Sequence, residues 1–305
     1  MNLTQYIGTQ GEQHVWQLYV RSQDATLWIR CNNLRSKNGF RQDADITAVL
    51  TDHDHNHLAI KTSLNHHQPS TFPLTFGPCT IALDASHGTL VSKRNAISWN
   101  LTFSPCQMPL GPFPLASMMH APRTLAHLTA QGTLTWGGKT IDLLKASATI
   151  TYLHTSQLNH SWVLAYAPDL SRDISFEGLS TRMNLGFFHG PEIASLRLIY
   201  EGQAYDFQSF KDALSMHTKR QLSEWRFQAD RGDLSFRGHI RSAARDLAGV
   251  TLEDTDGSLL FCNQTCTAEM SLLVYRAGKL VNSAHAPALF ESVSSMRNPY
   301  VPNLL

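Results

Sequence analysis

Apolar and polar positions alternate with period two through most of this chain. Ile97, Trp99, Leu101 and Phe103 are separated by Ser98, Asn100 and Thr102, the pattern of a strand with one buried face. Trp16, Leu18 and Val20 repeat it, followed by Leu27, Ile29 and Cys31 opposite Trp28, Arg30 and Asn32. Later come Leu196, Leu198 and Tyr200, then Leu234, Phe236 and Ile240 opposite Ser235, Arg237 and His239, and last Met270, Leu272 and Val274. Glycine marks the turns between them. Gly137-Gly138 separates two strand-like runs, and because both glycines accept positive φ the pair predicts a two-residue hairpin. Glu201-Gly202, Asp256-Gly257, Ala277-Gly278 and His87-Gly88 punctuate other runs. Short strands with turns at this spacing predict an all-β sandwich or barrel.

Helical spacing is confined to residues 209–217, where Phe210, Ala213 and Leu214 share a face and Ser209 is placed to cap. Pro105, Pro109, Pro112, Pro114 and Pro122 exclude a central strand. They predict a long connection, a lid or a strap across a barrel mouth. At 305 residues the chain exceeds the usual single domain. A division near 167–173, after the apolar strand ending at Tyr166, gives expected units 1–168 and 169–305.

Composition narrows the function classes. A hydrophobic share of 42% with 16% charged residues fits a packed globular protein. Basic and acidic residues balance at 25 and 24, without a basic stripe, so no nucleic-acid partner is expected. The polar N-terminus has no signal-peptide pattern, and no apolar run approaches the ~18 residues of a membrane span. The expectation is a cytoplasmic protein without an integral membrane segment. Five cysteines (Cys31, Cys79, Cys106, Cys262 and Cys266) fit no framework or zinc-knuckle spacing and read as reduced, buried thiols. His53, His55 and His57 fall in a polar loop, as do His66 and His67. A loop tip supplies neither a shaped pocket nor outer-shell partners, so no metal site is expected. Dinucleotide, phosphate-loop, HExxH and nucleophile-elbow motifs are all missing, and no cofactor is expected.

Candidate chemistry gathers around the aromatic strand. Tyr152-Leu153-His154 precedes His160 and the run Trp162-Val163-Leu164-Ala165-Tyr166. Histidines beside such a strand suit polar groups entering an apolar cavity, and an imidazole can move a proton near neutral pH. Glu224, beside Trp225, and Glu291, after Phe290, are the carboxylates nearest apolar strands; a rim or salt-bridge role is the plainer alternative for each. His154, His160 and Glu224 are the candidate catalytic residues.

The second half carries a recognisable order of motifs: the Trp162 strand, 198–207 reading LIYEGQAYDF, Trp225-Arg226-Phe227, 234–238 reading LSFRG, and 256–263 reading DGSLLFCN. In the first half, 88–90 reading GTL lead to 97–103 reading ISWNLTF, where Trp and Leu alternate with polar residues. This order resembles the tocopherol cyclase-like proteins and their relatives, the carotenoid 1,2-hydratases (hydroxyneurosporene synthases) and AttH-type proteins. The resemblance spans most of residues 15–293 as a pattern of aromatics and glycines. It implies two consecutive lipocalin-like (calycin) antiparallel β-barrels enclosing an apolar ligand cavity. It also implies hydration or ring closure of an isoprenoid- or polyketide-like molecule by protonation of a double bond. The chain differs from the cyclases where they carry a Lys-Asn-Trp-Gly-like stretch; residues 154–160 here read HTSQLNH. The aromatics Trp99, Tyr152, Trp162, Tyr166, Tyr205 and Trp225 form the candidate ligand-binding set. The expected partner is a hydrophobic small molecule. A non-catalytic carrier of such a molecule is the alternative, and a tail at 299–305 that docks on another protein is a third reading.

Overall fold

The computed structural model describes residues 11–65, 71–105, 122–184 and 189–305. His66, His67, Cys106 and most of the proline-rich connection lie outside them. Two antiparallel sheets of ten strands each account for most of the described chain.

The first sheet begins as a meander of β1 (Glu12–Arg21), β2 (Ala25–Arg35), β3 (Gln42–Asp52) and β4 (His57–Leu64). Short strands β5 (Leu74–Phe76) and β6 (Cys79–Ile81) lead to β7 (Ala85–Val91) and β8 (Ala96–Pro105). Long strands β9 (Arg123–Trp136) and β10 (Lys139–Thr155) complete it. The spatial order runs β4-β3-β2-β1-β10-β9-β8-β7-β6-β5, so the first and last strands pair at its middle.

The second sheet repeats the plan. Its strands are β11 (Ser161–Ser171), β12 (Ile174–Asn184), β13 (His189–Tyr200) and β14 (Gln203–Phe207), then β15 (His217–Gln221), β16 (Glu224–Arg231) and β17 (Leu234–Arg241). Strands β18 (Ala248–Glu253), β19 (Leu259–Arg276) and β20 (Lys279–Ser294) follow. Here β11 pairs with β20, again joining first strand to last, and β18 pairs with β19. Each sheet curls like a half-barrel around its own apolar core. The paired lipocalin-like architecture is therefore present.

The chain passes from one sheet to the other between Thr155 and Ser161. Residues 167–171, part of the expected division at 168, instead run along β11. The Gly137-Gly138 hairpin forms as expected, with φ of 56° and 78° and Trp136 opposite Lys139. Among the described residues one α-helix occurs, α1 (Phe210–Ser215); it begins at Ser209, whose hydroxyl accepts from the Asp212 amide while Asp212 accepts from the Ser209 amide. The tail turns inward rather than outward: Leu304 donates to the Gly249 carbonyl at 2.8 Å, and Leu304 and Leu305 pack on the core between the sheets.

At Gly132 strands β9 and β8 approach too closely for a side chain. A Cβ there would lie 2.0 Å from the Asn100 carbonyl oxygen, and its φ is +137°. Both objections are backbone ones, so repacking cannot relieve them. Gly132→Ala is expected to cost about 3 kcal/mol or more in urea unfolding; a cost below about 1 kcal/mol would show the approach to be relaxable.

Candidate functional site

Strict alternation would leave one face of each sheet wet, but the two sheets stack and bury it. On β1, Trp16, Leu18 and Val20 point into the first core, while Val15 and Tyr19 belong to a third core between the sheets. On β11, Val163 and Ala165 face the second core, and Trp162, Leu164 and Tyr166 face the third. Two polar clusters are set into this third layer.

The first is built around Glu291 on β20, which is completely buried. Its carboxylate accepts from Tyr19 Oη at 2.7 Å, Gln17 Nε2 at 3.2 Å and Trp162 Nε1 at 2.8 Å. Gln17 is itself fixed by Thr151, whose hydroxyl donates to its Oε1 at 2.9 Å. Burial, then the neighbouring carboxylate, pushes the Tyr19 phenol well above its ordinary range. Donors from both sheets thus converge on one carboxylate, which suits a structural clamp.

The second cluster is incompletely paired. Glu177 on β12 accepts a short bond from the Thr124 hydroxyl on β9, but its Oε2 has no partner among the described residues. Tyr166 packs beside Thr124 and Glu177 without a hydrogen bond of good geometry to its hydroxyl. His127 shares a hydrogen bond with Thr149 through Nδ1 at 2.9 Å, and its Nε2 has no partner among the described residues. The His127 and Tyr166 rings meet edge-on, 5.5 Å apart at 66°. Glu177 Oε2, Tyr166 Oη and His127 Nε2 thus lack a well-formed partner among the described residues, whereas buried polar groups are normally paired. Burial raises the Glu177 carboxyl to about 7, despite the Thr124 bond that opposes it. Burial lowers His127 to about 4, so the imidazole is neutral at physiological pH.

A surface cleft lies on the Pro168 side of Tyr166. A cleft of about 590 Å³ opens where β9 and β10 meet the end of β11, with Lys145, Asp169 and Arg172 at its rim. Ser147 and Pro168 also line a smaller cavity of about 20 Å³, which touches Tyr166. That inner space is about the size of one water. Arg21 stands beside it, bonded to Asp169 at 2.7 Å and to the Pro287 carbonyl.

The candidate catalytic residues His154, His160 and Glu224 are not gathered here. His154 is exposed on β10 and contacts Glu12; His160 lies ahead of β11, 3.4 Å from Ser295 Oγ; Glu224 sits on the outward parity of β16. Burial tends to raise the Glu224 carboxyl, but the Arg226 bond and His239 hold it below its ordinary range, which opposes a role as proton donor. Of the aromatic set, Trp162 and Tyr166 face the inter-sheet layer. Trp99 is sunk in the first core, bonded to Ser86 at 3.0 Å, and Trp225 in the second, bonded to Thr218 at 2.8 Å. Tyr152 and Tyr205 pack at the edges of those cores. Trp99 and Trp225 thus belong to the apolar cores of the two sheets, where the sequence leads one to expect a ligand cavity.

Gln17, Tyr19, His127 and Glu177 were not picked from the sequence. The continuous apolar run 162–167 was the available signal, because a strand buried on both faces loses its alternation. The four described cysteines are buried and free, as expected of reduced thiols. No described helix is long and apolar enough to cross a membrane.

No family model matches the chain, and no curated protein matches it by sequence. Solved structures do match. Kievitone hydratase from Nectria haematococca superposes with a TM-score of 0.57 at 11% identity, covering 95% of this chain and 90% of that one. CghA in complex with Sch210972 gives a TM-score of 0.60 at 9% identity, covering 94% and 90%. This chain thus shares the paired lipocalin-like fold of kievitone hydratase and CghA, the fold implied by its resemblance to the AttH-type proteins.

Proposed function

We propose that this protein hydrates or cyclises a hydrophobic, isoprenoid- or polyketide-like molecule in the cleft between its two sheets, with Glu177 as the proton donor. The observation that carries this reading is the buried, half-paired Glu177 beside Tyr166, whose ring His127 meets edge-on. A carboxyl near 7 is substantially protonated at neutral pH and can transfer its proton to an alkene carbon. The cation so formed is stabilised by the ring face of Tyr166. In hydration, a water adds to the cation and the new Glu177 carboxylate takes up its surplus proton, restoring the acid. In cyclisation, a second double bond of the substrate attacks instead, and the carboxylate removes a proton from the product cation. His127, neutral, orients the water or the substrate oxygen. The similarity in fold to a hydratase supports the reaction class by analogy only.

The test is incubation with a panel of isoprenoid and polyketide alkenes in D₂O, followed by mass spectrometry. One non-exchangeable deuterium per product is expected, lost by at least about 100-fold in rate in Glu177→Gln. Turnover undiminished in that variant would remove Glu177 from the mechanism. Stoichiometric binding without turnover across the panel would favour the carrier reading.

A further inference from the structure

We propose that Glu12, His14 and His154 form a binding site for a divalent transition-metal ion, with zinc as the best-fitting ion. The site is separate from the inter-sheet cluster and does not depend on the function proposed for it.

The pairing register of the first sheet creates this site. His14 and His154 lie directly opposite each other on β1 and β10. Their rings stack with centroids 4.3 Å apart and planes within 9°. Glu12, two residues before His14, shares its face of the strand. Glu12 Oε1 lies 3.0 Å from His14 Nε2 and 3.1 Å from His154 Nε2. One donor atom from each of the three residues falls within 4.8 Å of the others. Neighbouring ligands of a tetrahedral zinc ion, with bonds of about 2.0–2.1 Å, are separated by roughly 3.3 Å. The two nitrogen-to-carboxylate separations are therefore already close to that edge, and a small rotation of the rings completes the approach.

The surroundings fit as well as the ligands do. His14 Nδ1 is 2.7 Å from Tyr152 Oη. With Nε2 on a metal, Nδ1–H would donate to that phenol oxygen, the kind of outer partner that fixes a ligating imidazole. Arg35 holds the other carboxylate oxygen, Glu12 Oε2, at 2.7 Å, which leaves Oε1 for the ion. Two imidazoles and one carboxylate favour zinc and its first-row neighbours over magnesium or calcium. Three protein ligands leave a position open for water or for an oxygen atom of a bound molecule.

The histidine-rich loop is a poorer site, because its imidazoles diverge. His55 pairs with Asp246 at 2.7 Å, His57 bonds to Thr51 and to the Arg245 carbonyl, and His53 meets Asp54. Rigid paired strands hold ligands more accurately than a loop tip.

The full chain, stripped with a chelator and desalted, should be titrated with Zn²⁺ against a chromophoric competitor, and separately with Co²⁺ while its visible absorption is followed. One saturable equivalent per chain is expected, with the intense cobalt bands of a tetrahedral or five-coordinate site. His154→Ala and Glu12→Gln should each weaken Zn²⁺ binding by at least about tenfold, and Tyr152→Phe by a comparable factor. His154 is exposed, so its replacement should leave the unfolding midpoint unchanged, which guards against simple misfolding. A His53→Ala/His55→Ala double variant should bind as the parent does. Absence of a saturable equivalent, or binding that survives in His154→Ala and vanishes in the loop variant, would overturn the assignment.

Discussion

Glu291→Ala is expected to lower the unfolding free energy by about 3–5 kcal/mol, because it orphans three buried donors at once. The substitution leaves the Tyr19 hydroxyl, the Gln17 amide and the Trp162 indole N–H without their shared acceptor. None of the three can turn to solvent, because all lie in the layer between the sheets. A cavity is added to these losses. Tyr19→Phe removes one donor and leaves the carboxylate two others, so it should cost only about 1–2 kcal/mol. Urea unfolding followed by tryptophan fluorescence measures both, since Trp162 and Trp28 report on the inter-sheet layer. Equal effects from the two variants would refute the clamp.

The second large effect depends on pH. Glu177→Gln is expected to raise stability at pH 8 by up to about 3 kcal/mol and to leave it unchanged at pH 4. The folded carboxyl titrates near 7 and the unfolded one near its ordinary 4.5. Between those values the unfolded chain has released a proton that the folded chain still holds, so native stability falls as pH rises through that window. Glutamine carries no such penalty. His127 acts in the opposite sense: its folded value near 4 lies below the ordinary 6.5, so stability falls as pH drops from 6.5 toward 4. The two slopes cancel from about pH 4.5 to 6.5 in the parent. In Glu177→Gln the histidine slope stands alone, and stability should climb with pH across that range. Urea midpoints at half-unit intervals would reveal it; parallel profiles for parent and variant would place the Glu177 carboxyl in contact with water.

The strands could be read from the sequence because alternation survives wherever one face meets a filled barrel. Ile97 to Phe103 and Leu234 to Ile240 are such cases, and the glycine pair at 137–138 located its hairpin to the residue. The site resisted the same reading. Tyr19 and Glu177 occupy the parity that alternation assigns to solvent, and only the second sheet, contributed by residues far along the chain, makes that parity an interior. Trp162 and Tyr166 were picked for their aromatic strand and do reach the layer. His154 and Glu224 were picked by the same adjacency, yet one projects at the strand's exposed end and the other from the outer face. Adjacency in sequence cannot distinguish these directions. Nor can it bring His14 to His154, whose meeting depends on pairing the first strand with the tenth.

That same pairing has a consequence for biosynthesis. The first sheet is complete once Thr155 has emerged, because β10 is the strand that locks β1 in place. Its outer face then presents Val15, Tyr19, Trp28 and Leu153, all destined for burial, with nothing yet made to cover them. Translation at about 5–20 residues per second leaves that adhesive surface bare for on the order of ten seconds before β20 arrives. For that interval the half-made protein carries the kind of apolar face that promotes aggregation, and its own second half is the cover that removes it.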